Sequence, residues 1–375
     1  MHEQHRVVGS DVEPEGIGNI AVSALVAMLA LGAKTSAQVD FNPVINTLRM
    51  ESRFDFDYIS HFGDAAPDYG FHGKYFNLHV GGYIGEQFSY YFRQRIQANP
   101  GSIAFYDNTD FLYINYMPNK NWMFRLGKDA LAVGGFEYDA APIDVLFATN
   151  YWDNFYCFQL ALAGAYKSDD GNHMLLAQVA NSPYVHTDGA PWQSGLMSYN
   201  LYWSGNFGHF KTLYSANMFE RERGHFMNYI ALGHKLVYEK WDLYLDLIHH
   251  ALYGSDWGKN YAVVGCYNYY ATKDLSFYAK AAYEQNRSDY NTLNLNGNLN
   301  PDCLILSQHA YTSYGIGCEY RPSFCKSVRL HGVVAMRHAT DYTNPDQVET
   351  TNSLNVNLGI TWNMDFLKLI INNRL

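Results

Sequence analysis

The segment "LRMESRFDFDYI", Leu48 to Ile59, sorts its side chains by alternate positions into two kinds. Successive residues of a β-strand point to opposite faces, so a strand here has one apolar face and one charged face. The question this raises is which medium lies on each side of the strand. The apolar face carries Leu48, Met50, Phe54, Phe56 and Tyr58, and the charged face carries Arg49, Glu51, Arg53, Asp55 and Asp57.

The composition favours a membrane protein built from strands. The chain has 375 residues, of which 48% are hydrophobic, 16% aromatic and only 17% charged, and its mean hydropathy is −0.27. Beyond the N-terminal segment no apolar run approaches the ~20 residues that a membrane helix needs. Many aromatic residues with a period of two are typical of a transmembrane β-barrel, which turns apolar side chains to lipid and polar ones to enclosed water.

Residues 1–37 are predicted to be a cleaved signal peptide. The run "IAVSALVAMLALGA", Ile20 to Ala33, has the length of a signal-peptide hydrophobic segment, and small residues follow at Ser36 and Ala37. Cleavage after Ala37 would leave residues 38–375 as a single barrel domain. The acid-rich segment ahead of the run indicates a misassigned start codon, with the true start nearer the run. The alternative interpretation is a buried helix of a soluble protein.

The charge balance excludes one class of partner. The net charge is −10, and removing the two bases and four acids of residues 1–37 leaves −8. Binding to nucleic acid needs a basic footprint, so we expect no nucleic-acid partner.

The five cysteines cannot all pair within the chain. Cys318 and Cys325 flank a turn that contains Pro322, and two expectations are open for them: a disulfide across the hairpin, or unpaired thiols. No Cys/His group has zinc spacing, and adjacent His249 and His250 would point to opposite faces of a strand. We therefore predict neither a metal nor a cofactor.

The links between the alternating segments are of two lengths, and a short link is followed by a long one along the chain. Seven short links and eight long ones predict about sixteen antiparallel strands, with tight periplasmic turns and long extracellular loops. Such a sheet must close on itself, because an open edge in hydrocarbon leaves unpaired backbone groups. A barrel of this size holds an aqueous channel. The long links begin at Ser60, Ala98, Asp129, Ser182, Glu220, Tyr253, Asn286 and Thr340.

The segment "FRLGKDALAVGGFEYDAAPIDVLF", Phe124 to Phe147, resembles the porin superfamily typified by phosphate-selective porins O and P. In that family a strand ending in a Gly-Lys pair, here Gly127-Lys128, leads into a long loop that folds into the lumen. The resemblance in layout extends from Val39 to about Trp362. It implies a sixteen-stranded outer-membrane barrel, usually a homotrimer, with a constriction loop near residues 129–153, that passes small hydrophilic solutes or ions passively.

One feature departs from the phosphate-selective members, which carry a ladder of arginines and a lysine cluster along the pore. Here the bases on the polar faces alternate with acids such as Asp242 and Glu284. A net charge of −8 after cleavage gives no general attraction for anions. The resemblance is therefore extended to a porin and not to phosphate selectivity. The predicted lumen wall comprises Arg49, Glu51, Arg53, Asp55, Asp246, Lys280, Arg329 and Arg337.

Opposed charges around a constricting loop set selectivity through pore diameter and local field. We predict that bases on the strands face acids of the loop across the narrowest point, where a transverse field would orient hydrated solutes. The alternative is that these charges only wet the wall and pair with their neighbours. The predicted constriction comprises the bases Arg93, Arg95, Arg125 and Lys128 and the acids Glu137, Asp139 and Asp144.

Two other classes of function compete with a general porin. The first is a substrate-specific channel for phosphate, other anions or oligosaccharides. In a channel for oligosaccharides, the outer-loop residues Trp152, Trp192 and Trp257 would offer stacking surfaces. An outer-membrane enzyme is the other, but it needs a nucleophile with a positioned histidine, and no G-x-S-x-G motif is present. We expect no enzyme, and a barrel whose partners are outer-membrane lipid and the solutes it passes.

Overall fold

The computed structural model describes residues 44–63, 66–96, 108–155, 157–184, 195–251, 256–288 and 305–372, so the predicted signal peptide lies outside the described residues. Within them, sixteen antiparallel strands form one closed barrel, in which each strand pairs with the next and β1 pairs with β16. The predicted fold and strand number are confirmed. The strands are β1 (Thr47–His61), β2 (Asp68–Ile84), β3 (Phe88–Arg95), β4 (Thr109–Tyr116), β5 (Trp122–Ala130), β6 (Phe158–Lys167), β7 (His173–Asn181), β8 (Met197–Phe207), β9 (Phe210–Glu222), β10 (His225–Val237), β11 (Trp241–Ala251), β12 (Asn260–Tyr270), β13 (Leu275–Asn286), β14 (His309–Tyr320), β15 (Val328–Asp341) and β16 (Glu349–Asp365).

The two faces of β1 lie as its alternation predicts. Glu51, Arg53 and Asp55 are buried on the inner side, whereas Phe54 is 54% exposed on the outer side. The outer face of β14 follows the same rule, with Ile316 66% exposed. The apolar wall thus faces lipid and the charged wall faces the lumen, because lipid accepts apolar side chains and leaves charges unsolvated.

One predicted link is wrong. The long loop expected at Glu220 is a tight hairpin, because β9 extends to Glu222, β10 begins at His225, and only residues 223 and 224 join them. The carboxylate of Glu220 closes this turn by accepting the backbone N–H of Gly224 at 2.7 Å. The other long links fall at the same end of the barrel, opposite turns that range from residues 208–209 to residues 321–327.

The helices of the described residues are short. Three lie in the loop between β5 and β6: α1 (Phe136–Asp139), a 3-10 helix (Pro142–Asp144) and α2 (Asn150–Asp153). The fourth, α3 (Phe366–Asn372), follows β16 directly and lies beside β1. None of the described helices has the length and apolar character needed to cross a membrane.

Of the two expectations for Cys318 and Cys325, the unpaired one describes the structure, since both are free thiols. Cys318 is exposed on the outward row of β14, and that strand continues for two more residues to Tyr320. Cys325 lies beyond it in the turn before β15. The two side chains therefore do not face each other across the hairpin.

Gly127 allows β5 to approach β4 closely. Its φ is 136°, a conformation that favours glycine, and a Cβ there would lie 2.2 Å from the carbonyl oxygen of Leu112. We expect Gly127→Ala to lower the free energy of unfolding by about 1–3 kcal/mol, measured by urea unfolding in micelles. The control is Gly164→Ala on β6, where the new Cβ would make an ordinary 3.6 Å contact with Phe124. Equal urea midpoints for the two variants would contradict the prediction.

Candidate pore constriction

The loop between β5 and β6, residues 131–157, folds into the barrel. Its first part lies on the inner face of β9, where the N–H of Gly134 donates to Ser215 Oγ at 2.8 Å and the N–H of Gly135 donates to the Leu213 carbonyl at 3.1 Å. Its two ends join an apolar cluster that fixes the loop to one side of the lumen. Members of this cluster include Leu131, Val133, Tyr151 and Phe155 from the loop and Phe219, Met227, Tyr229 and Ile248 from the wall.

Asp246 on β11 binds the start of α1. Its two carboxylate oxygens accept the backbone N–H groups of Phe136 and Glu137, each at 2.9 Å. The first N–H groups of a helix have no partner within the helix. Because Asp246 is only 1% exposed, its carboxylate supplies bonds that water does not reach.

Glu137 of α1 is the centre of a second attachment. Its carboxylate accepts the ammonium of Lys280 on β13, and it also accepts the backbone N–H of Thr149 at 3.0 Å and the Thr149 hydroxyl at 2.8 Å. Lys280 also donates to the carbonyl of Phe147. The side chains of Glu137 and Lys280 are both at least nine-tenths buried. This one ion pair joins both the outgoing part of the loop, at Glu137, and its returning part, at Phe147 and Thr149, to the wall.

Glu284 and His250 hold the returning arm of the loop. The Glu284 carboxylate on β13 accepts the backbone N–H of Tyr151 and the side-chain amide of Asn150, both at 3.1 Å. The Tyr151 hydroxyl pairs with the imidazole of His250 on β11. These two wall residues were not among the predicted site residues.

The tip of the loop reaches the opposite wall. Arg53 on β1 donates to the Val145 carbonyl at 2.9 Å. Arg329 on β15 donates to the Ile143 carbonyl at 3.2 Å and forms an ion pair with Asp144 at 2.6 Å. The loop therefore spans the lumen from the face of β9–β11 to the face of β1 and β15.

Most of the predicted wall residues thus hold the loop. Arg337 adds a bond to the Ala148 carbonyl at 3.2 Å, and Asp55 pairs with Arg53 at 2.7 Å. Glu51 pairs with His79 of β2 at 2.8 Å, and Arg49 lies opposite His79 in the strand register. The wall residues that contact the loop directly are Arg53, Asp246, Lys280, Arg329 and Arg337.

The strand bases of the predicted constriction contact other acids. Arg93 and Arg95 both pair with Asp110 of β4 at 2.9 Å, and Arg125 pairs with Asp129 of its own strand at 2.7 Å. Lys128, beside Asp129, is also buried. The structure does not bring these bases together with the loop acids, because strand carboxylates lie nearer to them.

The loop acids are distributed over the loop. Glu137 and Asp144 pair with Lys280 and Arg329, as described above. Burial raises the pKa of Asp139, and the nearby Lys235 opposes that rise. Burial likewise raises the pKa of Asp153, against the opposing charge of Arg337. The predicted transverse pairing is thus replaced by separate pairs around the lumen.

The inner wall of β3 to β6 carries aromatic rings as well as charges. Four half-buried side chains form what we call the aromatic strip: Tyr91, Phe111, Tyr113 and Phe158. Neighbouring rings lie 5.1–6.0 Å apart between centroids. The predicted stacking residues are elsewhere. Trp257 stacks on His249 of the outward row of β11, Trp152 lies in α2, and Trp192 is outside the described residues.

Asp55, Asp57 and His72 are the described residues whose ligand atoms approach the spacing of a metal site, within 4.8 Å of one another. The two oxygens of Asp55 already accept bonds from Arg53, His331 and Asn357. A metal would have to displace these donors, so the trio is better described as part of the polar wall.

A closed sixteen-stranded barrel with an apolar exterior, a polar interior and an inward-folded loop defines an outer-membrane channel for solutes or ions. Residues 46–256 match the family model "Phosphate-selective porin O and P". The chain belongs to this family. No curated protein sequence matches it.

Solved structures share the fold at low sequence identity. The outer membrane channel DcaP of Acinetobacter baumannii has 14% identity and a TM-score of 0.58, over 85% of this chain and 97% of that one. An anion-selective porin from Comamonas acidovorans has 12% identity and a TM-score of 0.54, over 85% and 99%. The trimer form of OmpT of Vibrio cholerae has 11% identity and a TM-score of 0.52, over 85% and 99%. These similarities concern the fold alone.

Proposed function

We propose that the barrel passes small hydrophilic solutes and ions passively, through the water between the inward loop and the inner wall of β2–β6, with little preference for charge. One observation carries the proposal: each arginine of this wall contacts a carboxylate. Arg93 and Arg95 share Asp110, and Arg125 has Asp129. Three arginines against two carboxylates leave most of the charge compensated, and such a wall gives a weaker field than an uncompensated row of arginines.

The proposal includes outer-membrane assembly after removal of residues 1–37, and a homotrimer. The trimer form of the Vibrio cholerae protein with the same fold supports the second part. It includes no enzymatic step, since the bonds of three candidate histidines go to a phenol, a carbonyl and an amide oxygen and not to a serine or cysteine nucleophile. His250 bonds to Tyr151, His309 to the Ser307 carbonyl and His338 to Asn352.

The experiment is conductance in planar bilayers with the reversal potential under a KCl gradient. We expect an open pore with weak selectivity, and a shift towards cations in Arg95→Ala. Arg95 is the more exposed partner of Asp110, with 37% of its side chain accessible. A unit charge about 8 Å from an ion in water contributes about 0.5 kcal/mol, so the cation-to-anion permeability ratio should rise about twofold.

The control is Lys120→Ala, which removes the same charge from an exposed pair with Asp169 in a turn. This change should leave the reversal potential nearly as it was. A strongly anion-selective wild-type channel would favour the phosphate-specific alternative instead. If the Arg95→Ala channel keeps the wild-type reversal potential, Arg95 does not lie at the constriction.

A further inference from the structure

The aromatic strip is unusual because it faces water. Tyr91 and Phe111 lie 5.8 Å apart and Phe111 and Phe158 lie 5.1 Å apart between ring centroids, and Tyr113 continues the row at 5.8 Å from Tyr91. Aromatic residues of a barrel usually form girdles on the outer wall, where lipid headgroups meet them. On the inner wall these half-buried rings leave part of their apolar surface in contact with the lumen.

Ion-paired arginines lie over this strip. The guanidinium carbon of Arg93 is 4.4 Å from the ring centroid of Phe111, and that of Arg125 is 3.9 Å from the ring of Tyr113. Stacking of this kind fixes the planar guanidinium in one orientation. The buried carboxylates of Asp110 and Asp129 hold these arginines from below, so the guanidinium groups are fixed donors beside an apolar surface.

This combination selects a class of solute. A small anion such as phosphate would meet Asp110 and Asp129 next to every arginine, so like charges oppose its binding. A sugar ring has an apolar C–H face that packs on an aromatic ring, and an edge of hydroxyls that both donate and accept hydrogen bonds. A neutral solute of that shape can use the rings together with Arg95 and Arg125, whose side chains are 37% and 22% accessible, while the paired acids Asp110 and Asp129 are buried.

We infer that the aromatic strip is a weak binding track for saccharides within the pore, an inference that rests on the proposed passive channel. The probe is maltotriose, a linear glucose oligomer, added to single channels in planar bilayers. It should block the current reversibly at millimolar concentration. Because one aromatic contact contributes about 0.5–1.5 kcal/mol, Phe111→Ala and Tyr113→Ala should each weaken the block about 2- to 12-fold.

Matched variants separate stacking from folding. Leu112→Ala changes the outward-facing neighbour on the same strand, 48% exposed, and should leave the block as in wild type. Phe111→Leu keeps an apolar side chain and removes only the ring, so it should weaken the block even if Phe111→Ala fails to assemble. Sodium phosphate at the same concentration should block less than maltotriose.

Equilibrium dialysis of maltotriose against the barrel in micelles supplies a readout independent of current. A conducting barrel that binds no maltotriose overturns this inference and leaves the proposed function intact. Binding without any conductance supports the inference and contradicts the proposed passage. A block that is equal in Phe111→Leu and wild type, or stronger with phosphate than with sugar, also overturns it.

Discussion

Replacing Lys280 with methionine should loosen the constriction loop more than removal of any exposed ion pair. Lys280 is the cation for Glu137 and a donor to the Phe147 carbonyl. Methionine keeps the length of the side chain but leaves a buried carboxylate without its partner, which costs about 3–5 kcal/mol. We expect a lower urea midpoint in micelles and a single-channel current that fluctuates between levels.

Two further variants test whether the loss of charge compensation is the cause. Lys120→Met breaks an exposed pair with Asp169 and should change stability by less than about 1 kcal/mol. The double variant Lys280→Met, Glu137→Gln removes both buried charges and should recover part of the loss. If Lys280→Met behaves like Lys120→Met, the ion pair is not what holds the loop.

A valine at position 134 should force the loop away from the wall. A Cβ at Gly134 would lie 2.6 Å from the Leu213 carbonyl oxygen and 2.9 Å from the Ser215 nitrogen, and backbone atoms cannot move aside as a side-chain end can. The displaced loop would also lose the 2.8 Å bond from Gly134 to Ser215. We expect a change of at least about twofold in single-channel conductance, since the loop sets the bore.

Gly70→Val serves as the control, because a Cβ at Gly70 on β2 meets nothing within 4 Å. Its conductance should equal that of wild type, and both variants should retain the heat-dependent gel mobility of a folded barrel. A Gly134→Val channel with unchanged conductance would mean that the loop does not define the narrowest point.

The alternation within strands and the alternation of short and long links together were enough to predict the barrel. The pleat decides the face of each side chain, and the links give the number of strands. In β1 the inner position of Arg53 and the outer position of Phe54 follow from the alternation of side chains along the strand. The hairpin after Glu220 was missed because its turn glycine, Gly224 with φ 80°, lies within a run of charged residues that resembles a longer polar loop. The Glu220 carboxylate completes this turn.

The contacts of the site could not be predicted in the same way. The register of β3 and β4 shifts between Arg93 and Gln94. The alternation of faces along β4 therefore does not predict the position of Asp110, the acid that both Arg93 and Arg95 contact. Glu137 and Lys280 are 143 residues apart, and no local pattern relates them. The family resemblance implied that the loop enters the lumen, but its attachments depend on the closed barrel.

The tip of the loop has a consequence for how the pore is made. Its Ile143 carbonyl receives bonds from both Arg53 and Arg329, which belong to the strands on either side of β16, the final strand in the chain. A segment from the middle of the chain therefore bridges the junction between its beginning and its end. The tip can be fastened from both sides only once the cylinder is complete, so an unfinished barrel would be a wider and less discriminating hole than the finished one.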